Sequence, residues 1–79
     1  MDEKIDELIY KILNTINKEN KIPTIDEIEL NKSEYKNLLE TILQEGYITC
    51  FDIKKNTATI DISGINYIKI WEIINYINI

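Results

Sequence analysis

Six polar side chains in this chain are of the types that meet nucleic acid. Lys36, Asn37 and Gln44 share the outward side of a helically spaced stretch that Lys32 opens, and Lys54 and Lys55 stand together in a polar turn a few residues on. Lysine ammonium groups neutralise phosphates, and the amides of Asn37 and Gln44 match the donor and acceptor pattern of adenine. Glu40 lies in their midst and repels a phosphate backbone. A solvated helix face has the same make-up, so base reading and simple solvation both stay open. Other chemistries find less support. The sequence has no His, so nothing activates the Cys50 thiol, and Cys50 reads as a small core residue. There is no serine with a base partner, no Gly-rich phosphate loop and no metal-ligand cluster. Asp2, Glu3, Asp6 and Glu7 open a helix, where the positive end of the macrodipole favours acids. The expectation is a protein that is not an enzyme and takes no metal or cofactor.

The elements that must position these residues follow from periodicity. From Asn31 to Gly46, Tyr35, Leu38, Leu39, Ile42 and Leu43 recur at helical spacing. Asn31 and Glu34 supply an N-cap and N3 pair, and Gly46 supplies the stop. The inward side centres on Tyr35, Leu38, Leu39 and Ile42, leaving Ser33, Lys36, Asn37, Glu40, Thr41 and Gln44 outward. After Gly46 the period changes. Tyr47 to Ile53 is rich in β-branched and aromatic residues, and Thr57 to Ile60 follows the turn Lys54-Lys55-Asn56, which predicts a hairpin. Both alternating sets of the first strand are apolar, so its inward face is left open.

Upstream, Ile5, Leu8, Ile9, Ile12, Leu13 and Ile16 fall within about a third of a helix circumference, predicting an amphipathic helix over 1–17. Pro23 is expected to close that element. Thr24 and Glu27 form a second capping-box pattern, predicting a very short helix over Asp26 to Glu29, and Leu30 is expected to pack inward. Downstream, Asp61 is preferred as the N-cap of a last helix beginning at Ile62, over a strand running on to Ser63. The sum is one α+β domain over 1–79, read as a winged helix: three N-terminal helices, a two-stranded wing and a C-terminal helix over 62–78.

Length and charge bound the rest. A chain of 79 residues buries only ~60–65% of its unfolded surface, so leftover apolar surface seeks a partner. Nineteen Ile, nine Asn and nine Lys against no Arg, His or Val indicate AT-rich coding and say nothing of mechanism. A net charge of −5 weighs against strong non-specific binding of nucleic acid. The excess acid is concentrated early, however: residues 1–29 carry eight acids and four lysines, and 30–79 carry six and five. A single cysteine cannot form an internal disulfide, and no secretory h-region or membrane span is legible, so a soluble cytoplasmic protein without a membrane partner is expected.

The last helix is apolar around most of its circumference. Tyr67, Ile70, Trp71, Ile74 and Ile77 are candidates for a dimer interface, with Tyr67 and Trp71 as anchors. A small domain that wraps this helix on two sides is the other reading. The spacing of Ile60-Asp61, Gly64 and Tyr67-Ile68 resembles the "hydrophobic-Thr-x-x-Gly-x-x-Tyr-Leu" entry to the last helix of small bacterial and phage winged-helix proteins of the YjcQ type. Glu45-Gly46-Tyr47-Ile48 is similar to the Glu-Gly-Tyr-Ile that ends a helix before their hairpin. Asp61 stands where that pattern has Thr and keeps the capping chemistry. The resemblance implies a winged helix in a phage or mobile-element setting and transfers no catalytic residue.

Two functions are compatible with these features. One is a dimeric DNA-binding regulator using Lys32, Lys36, Asn37, Gln44, Lys54 and Lys55 on double-stranded DNA. The other is an acidic protein-interaction module, such as a phage-encoded inhibitor of a host nucleic-acid machine. Fold alone does not choose between them.

Overall fold

In the computed structural model, which describes the backbone of residues 3–77 and the side chains of 4–76, the order is α1 (Glu3–Glu19), α2 (Lys32–Gln44), β1 (Ile48–Asp52), β2 (Thr57–Ile60) and α3 (Ile62–Ile77). Asp2, one of the first-turn acids, and the side chains of Glu3 and Ile77 lie outside the described residues. The architecture is α+β, three helices on a two-stranded antiparallel sheet.

Helix α1 ends before the proline. Asn20 takes a left-handed conformation at φ 57° and its N–H donates to the Ile16 carbonyl at 2.8 Å, a one-bond helix stop that asparagine tolerates better than most residues. The chain then runs extended beside β2. Lys21 bridges Thr57, Ile22 N–H donates to the Asn56 carbonyl at 3.2 Å, and Ala58 N–H donates to the Asn20 carbonyl at 3.4 Å. Thus β2 has β1 on one side and a one-bridge strand remnant on the other. The expected helix over Asp26 to Glu29 is absent, and residues 25–29 form hydrogen-bonded turns instead. The Thr24 carbonyl takes the Glu27 N–H at 3.0 Å, and no longer ladder follows because five residues cannot repay helix nucleation. There are therefore two N-terminal helices, where the sequence reading has three.

Helix α2 matches its sequence signals at both ends. The Asn31 side chain accepts from Glu34 N–H at 2.8 Å and Glu34 Oε1 accepts from Asn31 N–H at 3.1 Å, a reciprocal cap worth about 1 kcal/mol. At the other end Gly46 sits at φ 82°, its N–H donating to the Leu43 carbonyl and Tyr47 N–H to the Ile42 carbonyl. This is the Schellman closure, and it needs a left-handed residue where glycine is cheapest. Tyr35, Leu38, Leu39 and Ile42 are its buried residues.

Strand β1 settles its inward face through an irregularity. Ile48 pairs with Ile60 but Cys50 pairs with Thr59, so Thr49 is an extra residue, and a bulge resets the in-and-out alternation. Ile48 is buried, Phe51 is half-buried opposite buried Ala58, and Cys50 is exposed. The expectation of a core cysteine fails for that reason. Asp61 caps α3 as expected, its Oδ2 accepting from Ser63 N–H at 3.0 Å. That bond, with the Ser63 hydroxyl adding to it, holds the Asp61 carboxyl below its ordinary range.

The core joins Ile12, Leu13 and Ile16 of α1 to Leu39 and Ile42 of α2 and Ile48 of β1, all nearly without exposure. Helix α1 packs on α3 and β2, and α2 packs on β1. Two tyrosines bind this core to backbone. The Tyr35 hydroxyl donates to the Pro23 carbonyl at 2.6 Å and the Tyr67 hydroxyl to the Asp6 carbonyl at 3.0 Å. Burial, and then the Glu27 charge, push the Tyr35 phenol well up. Burial, followed by Asp6 and Tyr47, pushes Tyr67 up to about 12. An unfolded tyrosine titrates near ~10, so between these values the folded state binds more protons than the unfolded one. The stabilisation is complete below pH ~10 and is lost as pH rises through the folded values. Urea midpoints are therefore expected to stay level from neutrality to pH ~9.5 and then fall, with a smaller fall in Tyr35→Phe. An unchanged alkaline limb in that variant would contradict the assignment.

Candidate nucleic-acid interface

The six polar candidates are exposed, and the structure divides them by position. Lys32 and Lys36 stand on the first two turns of α2. They line a hollow of about 320 Å³ together with Pro23, Ile25 and, across from them, Ile53 and Asn56 of the hairpin turn. Lys54 and Lys55 occupy the rest of that turn. Its shape is held by Asp52, whose Oδ1 accepts from Lys55 N–H at 3.1 Å, and by Asn56 at φ 58°. Two lysines thus stand over the first turns of α2 beside this hollow, and two more lie between Ile53 and Asn56 in the turn that borders it.

Asn37 lies one residue beyond Lys36 on the exposed side, its carbonyl accepting from the Thr41 hydroxyl at 3.0 Å. Gln44 is separated from the cluster. At 1.5 Å rise per residue it is roughly 18 Å along the helix from Lys32, in the last turn and next to Thr41 and Glu45, which border a different groove. Glu40 is exposed between the two. Over residues 30–60 the sequence has four lysines and four acids, so this half of the surface is neutral and the acid excess lies elsewhere.

The second groove, about 450 Å³, runs between α1 and α3. It is lined by Ile5, Ile9, Tyr47, Tyr67, Ile70, Trp71 and Ile74, together with the polar Asp6, Thr41 and Glu45. Trp71 is half-buried, its ring stacked on Tyr10 at 4.0 Å between centroids and 11° between planes, and the Tyr10 hydroxyl donates to Glu72 Oε2 at 2.7 Å. That bond, with burial and the Glu72 charge behind it, raises the Tyr10 phenol. Tyr67 is half-buried and tilts against Tyr47 at 5.1 Å. Of the interface candidates, then, Tyr67 and Trp71 are engaged within the chain. Ile70 and Ile74 stand 58% and 52% exposed, joined by Ile62 at 72%, Ile73 at 58% and Tyr76 at 80%. The body covers α3 along one side only, through Gly64 and Ile68.

Tyr10 lies outside the stripe of Ile5, Leu8, Ile9, Ile12, Leu13 and Ile16, so periodicity does not point to its stack on Trp71. An aromatic residue beside a helix's apolar stripe is the only signal the sequence offers for it. The edge pairing of Lys21 was not legible at all, because a single bridge has no sequence pattern.

Among the described residues no group of acidic or cysteine side chains could hold a metal ion, and no helix is long and apolar enough to cross a membrane. No protein-family model, curated protein or solved structure matches the chain.

Proposed function

We propose that this protein is a small winged-helix DNA-binding protein of the regulator kind, in which α2 is the helix presented to the groove and the 53–56 turn is the wing. One observation carries the reading: Lys32 and Lys36 share a hollow with Ile53 and Asn56, the residues on either side of Lys54 and Lys55 in the hairpin turn. Support comes also from the bridge of Lys21 to Thr57, which gives the hairpin the short third strand, between first and second helical segments, that a winged helix uses. The resemblance to YjcQ-type proteins adds a phage or mobile-element setting.

On this reading the lysines anchor phosphates while Asn37 reaches a base edge. Binding is weak per monomer, since there is no Arg to grip phosphate with two bonds and Glu40 opposes the backbone. An acidic protein-interaction module is the second reading, favoured by the net charge of −5 and by Glu40 in the middle of the helix face.

The deciding measurement is an anisotropy titration of a labelled duplex at low and moderate salt. Four neutralised phosphates give a slope of about −3 to −4 in log affinity against log salt, hence a roughly hundredfold loss from ~50 to ~200 mM. Lys54→Glu with Lys55→Glu should flatten the slope by about 2. Absence of binding at ~50 mM salt discards the DNA reading in favour of the second.

A further inference from the structure

The hollow between the start of α2 and the hairpin turn has an apolar lining that phosphate binding leaves unused. Ile22, Pro23 and Tyr35 contribute to it from buried positions, while Ile25 and Ile53 are each 41% exposed. Its charge is of one sign. Lys32 and Lys36, one helical turn apart, are its charged members, and no acid lines it. Among the described residues neither ammonium has a hydrogen bond or an ion pair. Acids from the flanking segments are spent elsewhere or stand outside the lining. Glu34 accepts from Asn31 N–H, Asp52 accepts from Lys55 N–H, and Glu27, whose charge reaches the Tyr35 phenol, is not a lining residue.

The segments that enclose the hollow are tied to one another. The Tyr35 hydroxyl donates to the Pro23 carbonyl at 2.6 Å, Ile22 N–H to the Asn56 carbonyl at 3.2 Å and Asn56 N–H to the Ile53 carbonyl at 3.2 Å. The recess is therefore preformed, as small-molecule sites usually are. We propose that it binds a small organic carboxylate with a single-ring apolar body, the ring lying against Ile25 and Ile53 and the carboxylate on Lys32 and Lys36. The volume of about 320 Å³ is at the lower end of the ~300–1,000 Å³ of ligand pockets and suits a body of that size. A bare phosphate satisfies the lysines and leaves the isoleucines in water, and an uncharged hydrocarbon does the reverse. One molecule carrying both groups satisfies both. The site does not depend on DNA binding. Because Lys32 and Lys36 are also the lysines placed on phosphate above, an occupied hollow competes with duplex, and that consequence alone rests on the DNA reading.

The test is an amide NMR titration of the full chain without duplex, so the two readings can fail separately. Phenylacetate is expected to saturate with a dissociation constant of about 1 mM, in line with its few heavy atoms, and to move the amides of Ile22, Ile25, Ile53 and Asn56. Phenylacetamide, the same ring without charge, and inorganic phosphate, the charge without a ring, should each bind at least about tenfold more weakly. Lys32→Gln with Lys36→Gln should lower the phenylacetate affinity to that of phenylacetamide, and the amide spectrum reports whether the variant is folded. Should it not fold, the ranking of the three compounds on the native chain decides. Phenylacetate overturns the proposal if it fails to saturate by about 10 mM or binds the folded lysine variant unchanged. Equal binding of phenylacetamide also overturns it and makes the occupant an uncharged apolar group, and equal binding of phosphate overturns it in favour of a plain anion site.

Discussion

Gly64→Ala is expected to remove about 3 kcal/mol or more of stability, a quarter or more of the total. Gly64 is buried in the first turn of α3, where the helix crosses the base of the hairpin. A Cβ there would overlap the Tyr47 carbonyl oxygen and lie 2.8 Å from Ile60 Cγ1. The Tyr47 carbonyl cannot retreat freely, because it accepts Asp61 N–H at 2.9 Å, while the Tyr47 N–H closes α2 on the Ile42 carbonyl at 3.1 Å. Nor can α3 lift away without releasing the Ser63 hydroxyl, which donates to the Gly46 carbonyl at 2.6 Å. Overpacking against backbone costs about 3 kcal/mol or more, against a total stability of roughly 4–12 kcal/mol for a domain this size. Gly46→Ala is the control. Its Cβ meets open space, so only the left-handed φ of 82° is penalised, at about 1 kcal/mol. Urea denaturation separates the two, and a Gly64→Ala protein as stable as Gly46→Ala would show that α3 does not cross the hairpin this closely.

Ile42→Ala should cost about 2–5 kcal/mol, the range for removing a fully enclosed branched side chain that its neighbours cannot collapse to replace. Ile42 has no exposure and belongs to the cluster that joins all three helices to the sheet. The neighbouring Leu43 is 36% exposed, so Leu43→Ala should cost less than about half as much. The contrast between adjacent positions in one helix reports which side of α2 is inward. Equal losses would mean that the outward face holding Lys36 and Asn37 has been misassigned.

How far the sequence reveals this fold depends on whether a feature is made locally. The caps of α2, its four buried residues and the start of α3 at Ile62 rest on contacts within a few positions, and periodicity finds them. Strand β2 at Thr57–Ile60 is local for the same reason. The bulge at Thr49 is a property of pairing between two strands, so the sequence leaves the inward face of β1 open and reads exposed Cys50 as a core residue. Asn20 rather than Pro23 ends α1 because the chain must turn to reach β2, a requirement set by residues 36 positions away at Asn56 and 37 at Thr57. For the candidate interface, exposure of the lysines is legible, but not the hollow that sets Lys32 and Lys36 opposite Ile53, nor the distance that sets Gln44 apart. The stack of Tyr10 on Trp71 joins the two ends of the chain, where no spacing rule applies.

The bulge in β1 reaches beyond Cys50. Among the described residues β1 has no strand on its outer side, and a chain rich in isoleucine and tyrosine with such an open edge is a template for end-to-end stacking into fibrils. An extra residue at Thr49 breaks the even ladder of donors and acceptors an incoming strand would need, and Asp52 places a charge near its end. The irregularity that hides the strand's orientation thus also makes its open edge a poor match for an incoming strand.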